Sequence, residues 1–443
     1  MRSPLLTMAI PFLRPAVALL CGSLSWLLPR PAGAQPAIEL APEHQASALQ
    51  KPLVGLGAGT VLSDEIVWGI VEQRFRSAAA SMSHTSVGGY GDIHLEGTRI
   101  GGGSRDFRVD VDRMVIFIAH TFTDTIRVYT EFEWEHAKAC AGCKGEASVE
   151  QAYAEWKILG DLLGLRAGLL LVPMGITNEW HEPPVFNGVN RPDVETEVIP
   201  TTWREIGLGV FGRPAPWLRY QLYAMTALDP QNLGASGLHE AQQEASLASA
   251  NAWSAAVRVE VEPLLGAVVG ASGYGSDAGP NAKLYPAPHA RAGVSVPIFG
   301  WDVDARFRRS GLECKLLYTE WYLPGAGALM SSVDAKGHPY FPDRSEPVPT
   351  KMRGGYAEVG YDVLHPFGLS HQLVPFARGE FYDTQAAVPA GFIRDRRRDA
   401  RVLTAGLSYR PIQQLVFKTD VQLRDFKAGP AQSQLDFGLG FMY

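Results

Sequence analysis

The chain has 443 residues, a formal charge of −6, and 46% hydrophobic against 19% charged residues. Nucleic acid is not an expected partner of this net acidic chain, and its length fits either a single closed β architecture or two to three soluble domains. No segment holds 18 consecutive apolar residues, which excludes a helical membrane protein.

Residues 1–34 have the layout of a secretory signal: Arg2 at the positive end, an apolar run from Pro15 to Leu28, and Ala32-Gly33-Ala34 as a small-residue cleavage site. The apolar run is shorter than the roughly 20 residues that a spanning helix needs. Removing this segment takes away three arginines and no acids, leaving 37 basic against 46 acidic residues. The remaining cysteines are Cys140, Cys143 and Cys314, too few for a disulfide-built scaffold. Residues 35–62 are small, polar and marked by Pro and Gly, residues 63–87 are ambiguous with Ile66 to Phe75 either a short helix or a strand, and 35–87 together are expected to form a periplasmic leader before the barrel begins at 88.

From Gly88 onward the chain becomes a series of strand-length segments of period 2, separated by turns or polar loops. Strands are expected near 88–98, 107–122, 125–137, 147–158, 163–172, 204–213, 215–226, 252–262, 264–274, 288–298, 300–309, 311–323, 354–364, 371–382, 400–410, 413–426 and 432–443. In 126–135, Ile126, Val128, Thr130, Phe132 and Trp134 share one face, and Arg127, Tyr129, Glu131, Glu133 and Glu135 the other. In 415–424, Leu415, Phe417, Val421 and Leu423 oppose Val416, Lys418, Asp420, Gln422 and Arg424. Alternation alone also suits a soluble sandwich. Three features favour a membrane barrel: strands of 10–12 residues, connections alternating between short and long, and aromatics at strand ends (Trp134, Trp156, Trp217, Trp253, Trp301, Trp321, Tyr361, Tyr409, Tyr443).

Seventeen segments cannot place both termini on one side. Treating 288–309 as one crossing interrupted by a bulge at Pro297 and Gly300 gives sixteen, and brings every tight turn to one end. The expected fold is therefore all-β: a 16-stranded transmembrane antiparallel β-barrel.

One connection stands apart. Residues 173–203 carry four prolines after Pro173 and no periodicity, and a structureless stretch that long in a compact fold is usually functional. It is expected to fold inward as a constriction loop lined by Glu179, His181, Glu182, Arg191, Asp193, Glu195 and Glu197, with Arg204 at its exit. Two readings fit the five acids beside Arg191: an acidic ring that ranks ions, or turn caps that pair with Arg191 and Arg204. Pore-wall candidates are Arg127, Glu131, Glu133, Arg166, Arg219, Arg258, Lys418 and Arg424, a mixed-charge lumen that predicts weak selectivity. Gly88, Gly89, Gly207 and Gly209 are read as permitting bulges or close approach of the inward loop. Cys140 and Cys143, in a loop of an oxidising compartment, are expected to form a disulfide.

The runs GGYGDIHLEG (88–97), VEQAYAEWKI (149–158), RAGLLLVPMGITNEWHEPPVFNGVNRPDVETEVIPTTWREIGLGVFG (166–212), YAEVGYDVL (356–364) and the ending DFGLGFMY resemble outer-membrane porins of the phosphate-selective porin O/P family. The resemblance covers roughly 88–443. It implies a homotrimeric channel in the bacterial outer membrane, contacting lipid and needing no cofactor or metal, with Tyr443 as the C-terminal aromatic read by the barrel-assembly machinery. Phosphate-selective members line the pore with arginine and lysine ladders; here acids share those faces, so weakly selective diffusion of ions and small hydrophilic solutes is expected, with anion selectivity as the alternative. An outer-membrane barrel enzyme is the rival class. It requires an acid–base–nucleophile set at the rim, and neither a nucleophile elbow nor a zincin motif occurs in the sequence.

Overall fold

A computed structural model describes residues 85–139, 144–282, 285–286, 293–334, 336–341 and 345–443. The signal segment, nearly all of the leader, and the Cys140–Cys143 pair lie outside the described residues.

The strands are β1 (Thr85–Ile100), β2 (Asp106–Thr121), β3 (Ile126–Glu135), β4 (Glu146–Lys157), β5 (Gly164–Leu171), β6 (Arg204–Ala215), β7 (Leu218–Thr226), β8 (Trp253–Leu264), β9 (Ala267–Asp277), β10 (Tyr285–Pro286), β11 (Pro297–Arg309), β12 (Leu312–Tyr322), β13 (Ser332–Val333), β14 (Lys351–Tyr361), β15 (Gln372–Ala387), β16 (Asp399–Ile412), β17 (Leu415–Phe426) and β18 (Gln432–Met442). Among the described residues, all but β10 and β13 join into one closed antiparallel barrel of sixteen strands, and those two short strands pair with each other. Closure runs through β1 and β18, with Tyr90 opposite Met442. Gly89 and Tyr443 then exchange both backbone hydrogen bonds at 2.9 Å, so the last residue completes the seam.

Each strand is amphipathic in the sense a lipid-embedded barrel needs. Along β8, Trp253, Ala255, Val257 and Val259 are exposed outward while Ser254, Ala256, Arg258 and Glu260 are buried inward. The outward set recurs around the wall (Leu208 55%, Leu222 51%, Val269 46%, Val303 46%, Phe417 47%, Phe437 44% exposed), an apolar surface far beyond what a water-soluble monomer leaves uncovered. An 11-residue strand is roughly 36 Å long, and at a tilt of about 45° it covers roughly 25 Å, the height of such a band. Aromatics ring both ends: Trp134, Trp253 and Trp301 at the long-loop end, and Trp156, Trp217, Tyr361, Tyr409 and Tyr443 at the short-turn end, all exposed.

Four expectations need correction. The barrel begins at Thr85, not 88. Of the expected strand 288–298, residues 293–296 run as loop and 297–298 open β11, while 288–292 lie outside the described residues. Val294, Val296 and Ile298 alternate because they are buried among the long loops, not because they face lipid. Nor is there a bulge at Pro297 or Gly300, since β11 keeps an unbroken register with β9 and β12. Pro297 sits at the first strand position, where its missing N–H costs no ladder bond. The count of sixteen stands for this different reason. Finally, Trp321 belongs to no girdle: it turns inward, fully buried, and packs on Trp203 and Tyr274 with ring centroids 5.7 Å away.

Candidate functional site

The loop 172–203 enters the barrel from the long-loop end and is buried along most of its length. Its neck is closed by one side chain. Asn178 Nδ2 donates to Val172 O at 2.7 Å and Trp203 O at 3.1 Å, and Asn178 Oδ1 accepts from Trp203 N at 2.7 Å. Prolines and short polar residues suit the segment, because its backbone donors and acceptors are satisfied by wall side chains rather than by a ladder.

Those wall bonds reach opposite sides of the barrel. On one side His181 meets Glu150 of β4 at 3.3 Å, and Arg113 of β2 donates to His181 O at 3.0 Å. On the other, Glu195 accepts from Tyr356 of β14 at 2.7 Å while its second oxygen accepts the Ile176 and Thr177 amides at 2.7 and 2.6 Å. Between them Asp302 of β11 accepts from Gly175 N at 3.0 Å, and Asn187 donates to Glu313 of β12 and Glu358 of β14 at 3.1 and 3.2 Å. Ser408 of β16 donates to Asn187 O at 2.6 Å, Lys418 of β17 donates to Gly188 O at 2.7 Å, and Val189 N donates to Asp420 at 2.7 Å. Asp193 takes a two-pronged contact from Arg424 at 2.6 and 3.0 Å. With Gln221 of β7 on Glu179, Glu380 of β15 on Val194 N, and Glu96 of β1 and Asp436 of β18 on Asn190, these polar contacts reach eleven strands.

The wall is also cut to receive it. A Cβ at Gly440 of β18 would lie 2.5 Å from Pro183 Cβ, and one at Gly354 of β14 would lie 3.0 Å from Val194 in the one-turn helix α1 (Val194–Glu197). Any side chain at Gly440 must push the loop away. Gly88, Gly89, Gly207 and Gly209 do not play this part: their missing side chains make room for neighbouring strands and for Tyr443.

Of the loop residues expected at a constriction, Asp193 and Glu195 are buried and anchor the loop, Glu182 is buried, Glu179 is half-buried on Gln221, and Glu197 is exposed. Arg191 meets the hydroxyls of Thr201 and Thr202, and Arg204 pairs with Glu244 at 3.0 Å. The wall candidates face inward, and their charges are largely matched. Arg127 and Arg166 share Glu155, Arg258 holds Glu260 and Asp304 at 3.0 and 2.7 Å, and Arg219 lies 3.8 Å from Glu260. Glu131 accepts from Tyr129 and Gln151. Sequence reasoning did not single out Asn178, Asn187, Tyr356, Arg378 and Arg410. One missed residue had left a signal: Glu150 and Gln151 are adjacent polar residues that break the alternation. The register of β3 and β4 slips there, so Glu150 is the extra residue of a bulge and is buried, turned into the barrel.

His181 supplies a pH-dependent tether. Burial disfavours its charge, but the Glu150 carboxylate more than compensates and raises its pKa above the usual 6.5. A raised pKa means that the ion pair stabilises docking fully below about pH 6.5, and that this contribution is lost as pH rises through the docked value. In EDTA-treated protein, hydrogen exchange of the 178–182 amides is therefore expected to speed up as pH rises above about 6.5, beyond the intrinsic base-catalysed rise. His181→Gln is expected to remove that excess; an unchanged profile would refute the tether.

No family model matches the chain. Among solved structures, the high-pH structure of Pseudomonas putida OprB aligns over 85% of this chain and 97% of that one, with a TM-score of 0.52 and 10% identity, and has the same barrel fold. An anion-selective porin from Comamonas acidovorans aligns over 81% of this chain and 99% of that one, with a TM-score of 0.48 and 10% identity. In sequence, a protein of Aquifex aeolicus (strain VF5) described as uncharacterized is 30% identical over 352 residues, covering 77% of this chain and 76% of that one. At that identity and coverage, the chain belongs to the same family as the Aquifex protein.

Proposed function

We propose that this protein is an outer-membrane porin, a channel for passive diffusion of ions and small hydrophilic solutes, in which the loop 172–203 is the limiting constriction. The observation that carries this reading is the loop itself, bonded to opposite walls of a closed barrel with an apolar exterior and a charged interior. The short-turn end faces the periplasm. The apolar belt meets lipid and, in a homotrimer, neighbouring copies.

Electrostatics points to weak selectivity. Most interior bases and acids neutralise one another, and two of the five loop acids are consumed in anchoring. Glu197, exposed, and Glu179, half-buried, remain to act on passing ions, which favours cations modestly. The test is the reversal potential of the purified protein in a planar bilayer under a KCl gradient. A small cation preference that shrinks when Glu179 and Glu197 are both changed to Gln is expected. Anion preference blocked by phosphate would instead support the phosphate-selective reading. Silence from both the intact protein and a loop-shortened variant, each folded, would overturn the channel and favour a barrel enzyme.

A further inference from the structure

We propose that His181, Glu150 and Glu131 form a binding site for one divalent transition-metal ion, which fastens the loop to the barrel wall. The three side chains are 2%, 0% and 1% exposed, and their ligand atoms all lie within 4.8 Å of one another. They come from three places that sequence keeps apart: β3, the bulge of β4, and the inward loop.

The arrangement around them is that of a prepared site. His181 Nδ1 lies 3.0 Å from Asn178 O, the outer hydrogen bond that fixes a ligating imidazole, and Nε2 faces Glu150 and the Tyr90 hydroxyl, 2.8 Å away, whose contact an ion bound at Nε2 would replace. Tyr129 and Gln151 both donate to Glu131 Oε2 and so orient that carboxylate. Glu150 Oε1 is buried, accepts no hydrogen bond, and faces His181 Nε2 at 3.3 Å. Independently, Glu133 is 4% exposed and makes no hydrogen bond or ion pair among the described residues, and the foremost charge acting on it is Glu150. Arg113 acts on Glu150 and Glu133 from a distance, while its own bonds go to Asp92 at 3.3 Å and His181 O at 3.0 Å, so it is not a ligand-position cation for the three acids. Three buried carboxyl groups face one imidazole, and the arginines that act on them, Arg113 and Arg204, are bonded elsewhere, to Asp92 and Glu244, so a divalent ion among the three acids adds the cation that sits on their oxygens.

Ligand type narrows the ion. One imidazole nitrogen among carboxylate oxygens suits Zn2+, Mn2+ or Fe2+, whereas Ca2+ and Mg2+ prefer all-oxygen sets. Tetrahedral ligation at about 2.1 Å places donors roughly 3.4 Å apart, so ligand atoms within 4.8 Å of one another need close by about 1.4 Å at most. The neighbouring trio Asp92, His94 and Asp112 is a poorer candidate, since Asp92 is already held by Arg113 and by His94 at 3.2 Å.

The site stands without the porin reading; only its effect on passage through the loop rests on it. The full chain, purified in detergent and stripped with EDTA, is titrated calorimetrically with Zn2+ and separately with Mn2+. One ion per chain at micromolar affinity or tighter is expected, with His181→Ala and Glu150→Gln each weakening binding about 10-fold or more and Asp124→Asn leaving it unchanged. Should a variant fail to give a heat-modifiable barrel, Co2+ added to the wild-type protein decides: visible d–d bands of a four-coordinate N/O site support the proposal. Absence of stoichiometric binding by the wild type, or retention of full affinity by folded His181→Ala, overturns it. Either result is read from metal binding alone, so it is separable from a failure of the channel reading, which conductance of EDTA-stripped protein decides.

Discussion

Replacing residues 179–200 with a short Gly/Ser linker is expected to raise single-channel conductance several-fold over the intact protein. The loop's bonds to β4 on one side and β14 on the other place its backbone across the lumen, and the wall residues it touches are themselves buried: Glu150 0%, Glu380 5%, Asp420 4% and Arg378 1% exposed. Groups this dry do not line an open aqueous passage at that depth, so the intact channel should conduct weakly. The barrel itself does not depend on the loop for closure, because every neighbouring strand pair is joined by its own ladder. Excision removes the partners of Arg410, Lys418 and Arg424, but the widened lumen lets water solvate those charges instead. A variant that remains heat-modifiable yet conducts no more than the wild type would show that the passage runs elsewhere than past this loop.

Much of this architecture is legible in the sequence, because a two-faced strand in lipid has little freedom: Arg127, Glu131 and Glu133 on β3, and Lys418 and Arg424 on β17, face inward as their spacing dictates. The failures share a cause. Val294, Val296 and Ile298 alternate as a lipid-facing strand would, yet they are buried among the long loops, and period alone does not say which side of an apolar face is wet. Trp321 misleads in the same way, being aromatic and near a strand end but turned into the barrel. The constriction loop is recognisable by length and prolines, but its acids are not sortable from sequence. Glu195 and Glu197 sit two residues apart, and only the fold decides that one is buried against two amides and a tyrosine while the other stays in solvent.

That difference sets the second large expectation. Glu195→Ala removes the acceptor for the Ile176 and Thr177 amides and for Tyr356 Oη in a single step. Each buried donor left unsatisfied costs about 1–3 kcal/mol, so the docked loop should lose roughly 3 kcal/mol or more relative to an undocked one. Glu197→Ala touches no such network and should cost within about 0.5 kcal/mol. Hydrogen exchange checks the pair directly: amide protection at Ile176 and Thr177 should fall about 100-fold or more in Glu195→Ala and hold in Glu197→Ala, since each 1.4 kcal/mol is a factor of ten. Conductance should follow protection, rising in the first variant and not in the second. Lost protection with unaltered conductance would separate the anchoring of the loop from control of the pore. Protection retained in Glu195→Ala would mean that the remaining bonds from Asn178, Asn187 and Asp193 hold the loop without it.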